Sequence, residues 1–392
     1  MNLNTISDKI VFKSLKFIKH GNIQLINYDN KNYNFGNLKE KLSVKLKINK
    51  PGLTYQVIKN GDIGLAEAYM KGDFETDNLT NLIELTAKNI QLTYKFSGLF
   101  DFSIINYIKN IFVKNNKSRS KENISKHYDL GNEFFSLWLD PSLTYSSAIF
   151  EKNESNLESA QINKYQKLLS LINPKSGDKI LEIGCGWGGF AEFVGKNYDV
   201  KMDCITISKK QFDYASKRIF KNGLNEKVNI KLKDYRDIKE KYNSIASIEM
   251  IEAVGKNYLS NFFNTIKSNL SEKGLAAIQT ITINDDLYER YKTKQDFIRK
   301  YIFPGGFLPS KKSLYNLSSS KGLLINSYDS YGFHYSNTLQ LWRNEFINKW
   351  DQISKQGFDI NFKRMWHFYL SYCEAGFKSK NIDLIQFSLQ NR

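Results

Sequence analysis

A doubly wound α/β sheet, preceded by a smaller N-terminal α+β domain, is the fold class the sequence predicts, and three observations carry it. From residue 179 onward short apolar runs alternate with amphipathic ones. A glycine-rich turn, "GCGWGG", joins the first apolar run to the amphipathic run after it. Residues 22–60 read differently, as short alternating segments broken by Asn, Gly and Pro.

Taken in order, "NIQLINYD", "KNYNFG" and "SVKLKINK" predict a small antiparallel β unit. "IGLAEAYMKGDFETDNLTNLIELTAKN" then turns helical, with apolar residues three and four apart, so residues 1–90 form one compact domain. Residues 92–113 are rich in Phe, Tyr and Ile, yet Lys95, Asp101 and Lys109 interrupt them, which predicts an amphipathic helix and not a spanning one. That helix either packs between domains or meets lipid. With the basic stretch "KNNKSRSKENISK" it makes a connecting segment over 91–125, and the larger domain occupies 126–392. In that domain "KILEIG", "VKMDCITIS", "KVNIKLKD", "YNSIASIEM" and "GLAAIQTITI" read as strands. "GGFAEFVGKN", "KKQFDYASKRIF" and "NYLSNFFNTIKSNL" read as helices. In such sheets ligands gather at the carboxyl ends of the strands, so chemistry is sought just after each strand.

Composition narrows the partners. The 392 residues carry a formal net charge of +17, which predicts attraction to nucleic acid or an acidic membrane, unless it reflects only a Lys-rich amino-acid bias. No recognised nucleic-acid-binding pattern of basic and exposed aromatic residues is evident, so nucleic acid is not an expected partner. Cys185, Cys204 and Cys373 are odd in number with no C-x-x-C spacing, and only four His occur, so neither a disulfide framework nor a metal site is expected. A cytoplasmic protein is predicted, without a signal peptide at its start, associated peripherally with the inner face of the cell membrane.

The turn at Gly184, Gly186, Gly188 and Gly189 suits either a dinucleotide or S-adenosylmethionine (SAM). Three features favour SAM. Glu182 precedes the first glycine, where it would complement a cationic ligand and repel a pyrophosphate. The next strand ends in "TISKKQ", without the acid that would hold a dinucleotide ribose, Asp203 lying too early. "KDYRD" after the third strand supplies Asp234 to accept from an adenine amino group.

Seven ordered stretches then become recognisable: "ISKHYDLGNEFFSLWLDPSLTYSSAIF", "LEIGCGWGG", "TISKKQ", "EMIEAVGKNY", "YIFPGGFLPS", "YSNTLQLWRNEF" and "YLSYCEAGF". From about residue 20 onward the chain resembles the cyclopropane-fatty-acyl-phospholipid synthase family. The resemblance implies a SAM-dependent methyltransferase domain with acyl-chain-binding insertions over 126–392, behind a lipid-binding accessory domain. It implies SAM as methyl donor, an unsaturated phospholipid in an anionic membrane surface as substrate, and a homodimer. For SAM it implies Tyr145 and Ser146 near the methionine end, Gly184 and Gly186 beneath it, Thr206, Ile207 and Gln211 around the ribose, and Asp234 and Tyr235 near the adenine.

An alkene is a feeble nucleophile, so the donor must be aligned with it in a dry pocket and the resulting carbocation must last until a proton leaves. In the family bicarbonate takes that proton. The resemblance implies a bicarbonate cradle of Glu252 as orienting carboxylate, Tyr335 as hydroxyl donor, the main chain near Ser147 and Ile281, and Gln279. The chain departs from the pattern at two places. Ser147 stands where many members have Cys, and Gln279 stands at the usual His, where an amide donates to an anion but carries no proton. Ring, methylene branch and methyl branch are therefore all expected products. Cys373 matches a family cysteine assigned to the active site, although nothing in the sequence sets a base beside it, and packing is the competing reading. His127 is read as ordering the segment over the cofactor. "YIFPGGFLPS" is read either as a turn or, through Phe303 and Phe307, as a wall of the acyl channel. A non-catalytic lipid-binding protein of the same fold is the alternative from another class.

Overall fold

A computed structural model of the protein describes residues 3–90, 130–152 and 156–392. The segment 91–125, where the amphipathic helix and basic linker were expected, and His127 lie outside the described residues.

The N-terminal unit opens with a helix, Leu3–Leu15. Four strands follow: β1 (Asn22–Ile26), β2 (Asn32–Gly36), β3 (Ser43–Ile48) and β4 (Phe74–Thr76), in the order β2-β1-β3-β4. The expected antiparallel arrangement holds for β1–β2 and β3–β4, but β1 and β3 run parallel, so this small sheet is mixed. The burial alternates along β3, with Val44, Leu46 and Ile48 facing inward, as period-2 patterning requires. Helix Leu53–Lys71 begins ten residues before the apolar periodicity suggested and departs from helical geometry at Gly61, whose φ of 60° and ψ of −132° break the hydrogen-bond ladder. Helix Leu79–Lys88 is capped by Asn78, whose side chain accepts from the Asn81 amide.

The larger unit holds a seven-stranded sheet. Its strands are β5 (Lys179–Ile183), β6 (Lys201–Thr206), β7 (Val228–Leu232), β8 (Tyr242–Ile248), β9 (Leu270–Ile283), β10 (Leu323–Ser330) and β11 (Ile382–Asn391). They lie in the order β10-β11-β9-β8-β5-β6-β7. The order reverses between β5 and β8, and the pairings from β9 through β7 are parallel, which is the doubly wound arrangement. The expectation of an all-parallel sheet fails at one strand, because β11 enters antiparallel to both β9 and β10. Both of its faces are buried, so its sequence lacks a clean polar and apolar alternation.

The two units share one apolar core. Val44, Phe74 and Leu82 of the first belong to the same buried cluster as Phe134, Trp138, Trp342, Trp366 and Phe368 of the second. Helix Leu79–Lys88 packs on helix Ile360–Lys378, where buried Glu374 accepts from Thr80 at 3.1 Å, Arg343 at 3.0 Å and Lys378 at 2.6 Å. Among the described residues no helix is long and apolar enough to cross a membrane.

Candidate active site

A cavity of about 1330 Å³ opens at the carboxyl ends of β5, β6 and β8. The glycine turn forms its floor. Gly184 has φ +88° and its amide donates to the Ile205 carbonyl at 3.0 Å, a conformation that favours glycine. A Cβ there would sit 2.8 Å from the Met250 side chain. Gly184→Ala is accordingly expected to cost about 1–2 kcal/mol for the left-handed backbone alone. It should also push Met250 into the cavity and weaken SAM binding. Thermal denaturation and calorimetric titration check this, and unchanged values in both would remove the turn from the binding site.

The proposed SAM contacts Tyr145, Ser146, Glu182, Gly184, Gly186, Thr206, Ile207, Gln211, Asp234 and Tyr235 all line this one cavity. Gly188 does not. It caps helix Gly189–Asn197 with φ +83°, and a Cβ on it would meet Ala215 at 3.1 Å, so it allows two helices to pack and touches no ligand space. Thr206 donates to Gln211 Oε1 at 2.8 Å, fixing the amide. Asp234 is gripped by Arg236 through two side-chain bonds of 2.8 and 2.6 Å. Asp203, dismissed as a ribose ligand, is engaged by Tyr242 at 2.9 Å and Lys231 at 2.6 Å.

Electrostatically the cavity is built for a cation. Glu182, Glu249 and Glu252 all line it and are all buried away from bulk water. Burial pushes the Glu182 carboxyl up to about 7, and burial together with the neighbouring Glu249 pushes Glu252 up to about 8. One oxygen of Glu182 and one of Glu252 find no partner among the described residues. Buried carboxyl oxygens left without a donor beside a cavity suit a sulfonium and oppose a pyrophosphate, so the residues present fit SAM. Behind them lies Lys164, wholly buried, donating to Ser146 Oγ at 2.8 Å and driven by burial down to about 7.

The groups expected to cradle bicarbonate come together, but around a different anion. Ser147 N–H at 2.8 Å, Gln279 Nε2 at 2.8 Å and Tyr335 Oη at 2.6 Å all donate to the carboxylate of Glu249. Glu252 is not the centre of that set. It accepts instead from the Ile281 amide at 2.5 Å and the Thr280 hydroxyl at 2.9 Å. Tyr335, Ile281 and Glu252 line the cavity, whereas Ser147 and Gln279 stand behind Glu249 without lining it. Bicarbonate therefore does not fit as a resident ion, since its donors already hold a side chain.

The sheet explains this convergence. Gln279 on β9 lies opposite both Ile248 of β8 and Gln386 of β11, and Glu249 is the first residue beyond β8. Gln386 Nε2 donates to Gln279 Oε1 at 2.8 Å, which orients the Gln279 amide with its NH₂ toward Glu249. Sequence reasoning missed Glu249, Lys164 and Gln386. The signal for Glu249 was present, because an acid at the carboxyl end of a predicted strand, here "YNSIASIEM", stands where ligands gather; in "EMIEAVG" only the second acid was taken.

Cys373 lines the cavity, but burial, and after it the negative charge of Asp296, raises its thiol well above the ordinary value, the opposite of what an activated thiolate needs. Its assignment as a catalytic nucleophile is not supported. Phe303 and Phe307 both line the cavity, and the Phe307 amide donates to the Glu252 carbonyl at 2.9 Å, so the "FPGGF" turn is also a wall. The far wall comes from the N-terminal unit, including Val57, Gly61, Leu65 and Ile83.

Comparison with known proteins agrees with this architecture. The family model described as mycolic acid cyclopropane synthetase matches residues 115–387. A second model, described only as a domain of unknown function, matches residues 11–95. The chain is 37% identical over 230 residues to the tuberculostearic acid methyltransferase UfaA1 of Mycobacterium tuberculosis, covering 58% of this chain and 54% of that one. It is 34% identical over 224 residues to the cyclopropane-fatty-acyl-phospholipid synthase of Escherichia coli, covering 57% and 56%. The matched region thus spans little more than half the length of these relatives. The solved structure of the mycolic acid cyclopropane synthase CmaA1 with SAH and CTAB superposes with a TM-score of 0.65 at 29% identity, covering 69% of this chain and 98% of that one.

Proposed function

Because the chain belongs to the mycolic acid cyclopropane synthetase family, we propose that it is a SAM-dependent C-methyltransferase acting on the cis double bond of unsaturated phospholipid acyl chains. The observation that carries this reading is a single cavity that joins a cation-complementary end at Glu182, Glu249 and Glu252 to an apolar reach walled by Phe303, Phe307 and Phe368. SAM, when bound, supplies an electrophilic methyl group. The residues of the chain align the alkene against it, exclude water and hold negative charge where a carbocation develops. Relatives named as a cyclopropane synthase and as a methyltransferase support two outcomes, a ring or a branched chain, from the same first step.

The substrate sits in a membrane, and the charge of +17 supports peripheral docking on an anionic, cytoplasmic surface. The N-terminal unit, whose residues complete the cavity wall, is the accessory part of the lipid site. Binding to vesicles is expected to require anionic lipid and to weaken as salt is raised. Equal binding to neutral vesicles in a sedimentation assay would reject the charge argument. The test of function is expression in a host lacking its own synthase, followed by mass spectrometry of lipid methyl esters. Unsaturated chains should gain one CH₂, and proton NMR then separates ring from branch; unaltered lipids would refute the proposal.

A further inference from the structure

We infer that Glu249 is the built-in general base of this enzyme, a tethered carboxylate that does the work a diffusible anion would otherwise do. The inference rests on the methyltransferase reading above and deepens it. Three donors from three separate parts of the fold converge on one carboxylate: a loop amide (Ser147), an amide side chain on β9 (Gln279) and a phenol on helix Gly332–Asn348 (Tyr335). Three bonds orient both oxygens, with Oε1 taking Ser147 and Gln279 and Oε2 taking Tyr335. Glu249 nonetheless lines the cavity.

The backbone carries a second sign of function. Glu249 has φ +51°, a left-handed conformation unusual for a side chain of this size, immediately past the end of β8. Its amide donates to the Gln279 carbonyl at 2.8 Å, so the strained residue is pinned by the same strand that orients its carboxylate. Gln279, unable to carry a proton, is then a positioning residue, and Gln386 fixes the direction in which it donates. A histidine is not needed where the base is already part of the chain.

The step balances without a further reactant. The alkene π pair forms the new C–C bond as the methyl–sulfur bond breaks, leaving a carbocation on the adjacent carbon. A C–H bond of the added methyl then breaks: its electron pair closes the ring, or after a hydride shift forms a methylene double bond, and the proton ends on Glu249. The protonated carboxyl returns its proton to water once product leaves the cavity. Burial, which raises the carboxyl above the ordinary range, makes it a stronger proton acceptor than a solvated glutamate.

The experiment uses the full-length protein, SAM and vesicles containing an unsaturated phospholipid, in CO₂-free buffer with and without added bicarbonate. Wild-type turnover is expected to be the same in both. Glu249→Gln should fall by about 10²-fold in either buffer. Glu249→Gly, which suits the left-handed backbone, should lose turnover and regain it in a saturable way with formate or bicarbonate as the anion enters the vacated cradle. Wild-type turnover that drops on stripping bicarbonate, a Glu249→Gln enzyme as fast as wild type, or a folded Glu249→Gly enzyme that neither anion revives would each overturn the assignment. No product from wild type in either buffer would instead refute the methyltransferase reading beneath it.

Discussion

Glu252→Gln is expected to lower kcat by about 10²–10³-fold, the loss typical of removing one preorganised electrostatic group from a closed site. The amide keeps an oxygen to accept from the Ile281 amide and the Thr280 hydroxyl, so the local fold survives. What disappears is a charge whose second oxygen has no partner among the described residues. That charge is worth little in the empty enzyme, where burial and Glu249 hold the carboxyl at about 8 and it is largely protonated at neutral pH. A cation beside it reverses the balance and draws the proton off.

The pH dependence follows with a definite sign. SAM binding favours ionised Glu252 and Glu182, so binding releases protons from both. Affinity should rise with pH and level off above about 8, and the variant should show a shallower rise. For the ligand-free protein the raised carboxyl contributes stability that is fully present below its ordinary value of 4.5 and lost as pH climbs through about 8. Calorimetry in buffers of different ionisation enthalpy counts the released protons. Turnover of Glu252→Gln within a few-fold of wild type would take Glu252 out of the mechanism.

Glu374→Ala should destabilise the protein by about 3–5 kcal/mol, because breaking a buried ion pair leaves its partner uncompensated. Glu374 is fully buried and takes Arg343 and Lys378 on its two oxygens, with Thr80 sharing the Arg343 oxygen. Lys378 is partly exposed and can turn to water, whereas Arg343 is only 17% exposed and cannot follow it easily. Thr80 belongs to helix Leu79–Lys88 of the N-terminal unit, so the loss also loosens one unit from the other. Pairing Glu374→Leu with Arg343→Met should recover much of the stability, as an apolar replacement of the whole pair often does. Urea denaturation of the single and double variants measures both. A single variant within 1 kcal/mol of wild type, an allowance of about the cost of an exposed pair, would mean that this network contributes little.

How much was legible depended on the range over which each signal acts. Strand and helix alternation and the glycine turn are local, and β5 through β9 emerged where the periodicity put them. β10 and β11 were not read as strands, and the direction of β11 had no local signal, because a strand buried on both faces carries no pattern that tells parallel from antiparallel. Helix Leu53–Lys71 was located late because the break at Gly61 splits its apolar face. At the site, residues tied to local turns, such as Gly184 and Gly186, were readable, whereas Glu249, Lys164 and Gln386 matter through partners up to 222 positions away. Gly188 misled because the glycine pattern does not say which glycine faces the ligand and which faces a neighbouring helix.

The wall contributed by Val57, Gly61, Leu65 and Ile83 gives the small unit a say in what the enzyme makes. A secondary carbocation takes whichever nucleophile reaches it first, and bulk solvent is always the most abundant competitor. Trimming that wall, as in Leu65→Ala, would breach one side of the chamber at the moment its contents are most reactive. The outcome would be hydroxylated, methyl-bearing chains mixed with the normal product, a failure of fidelity and not merely of speed.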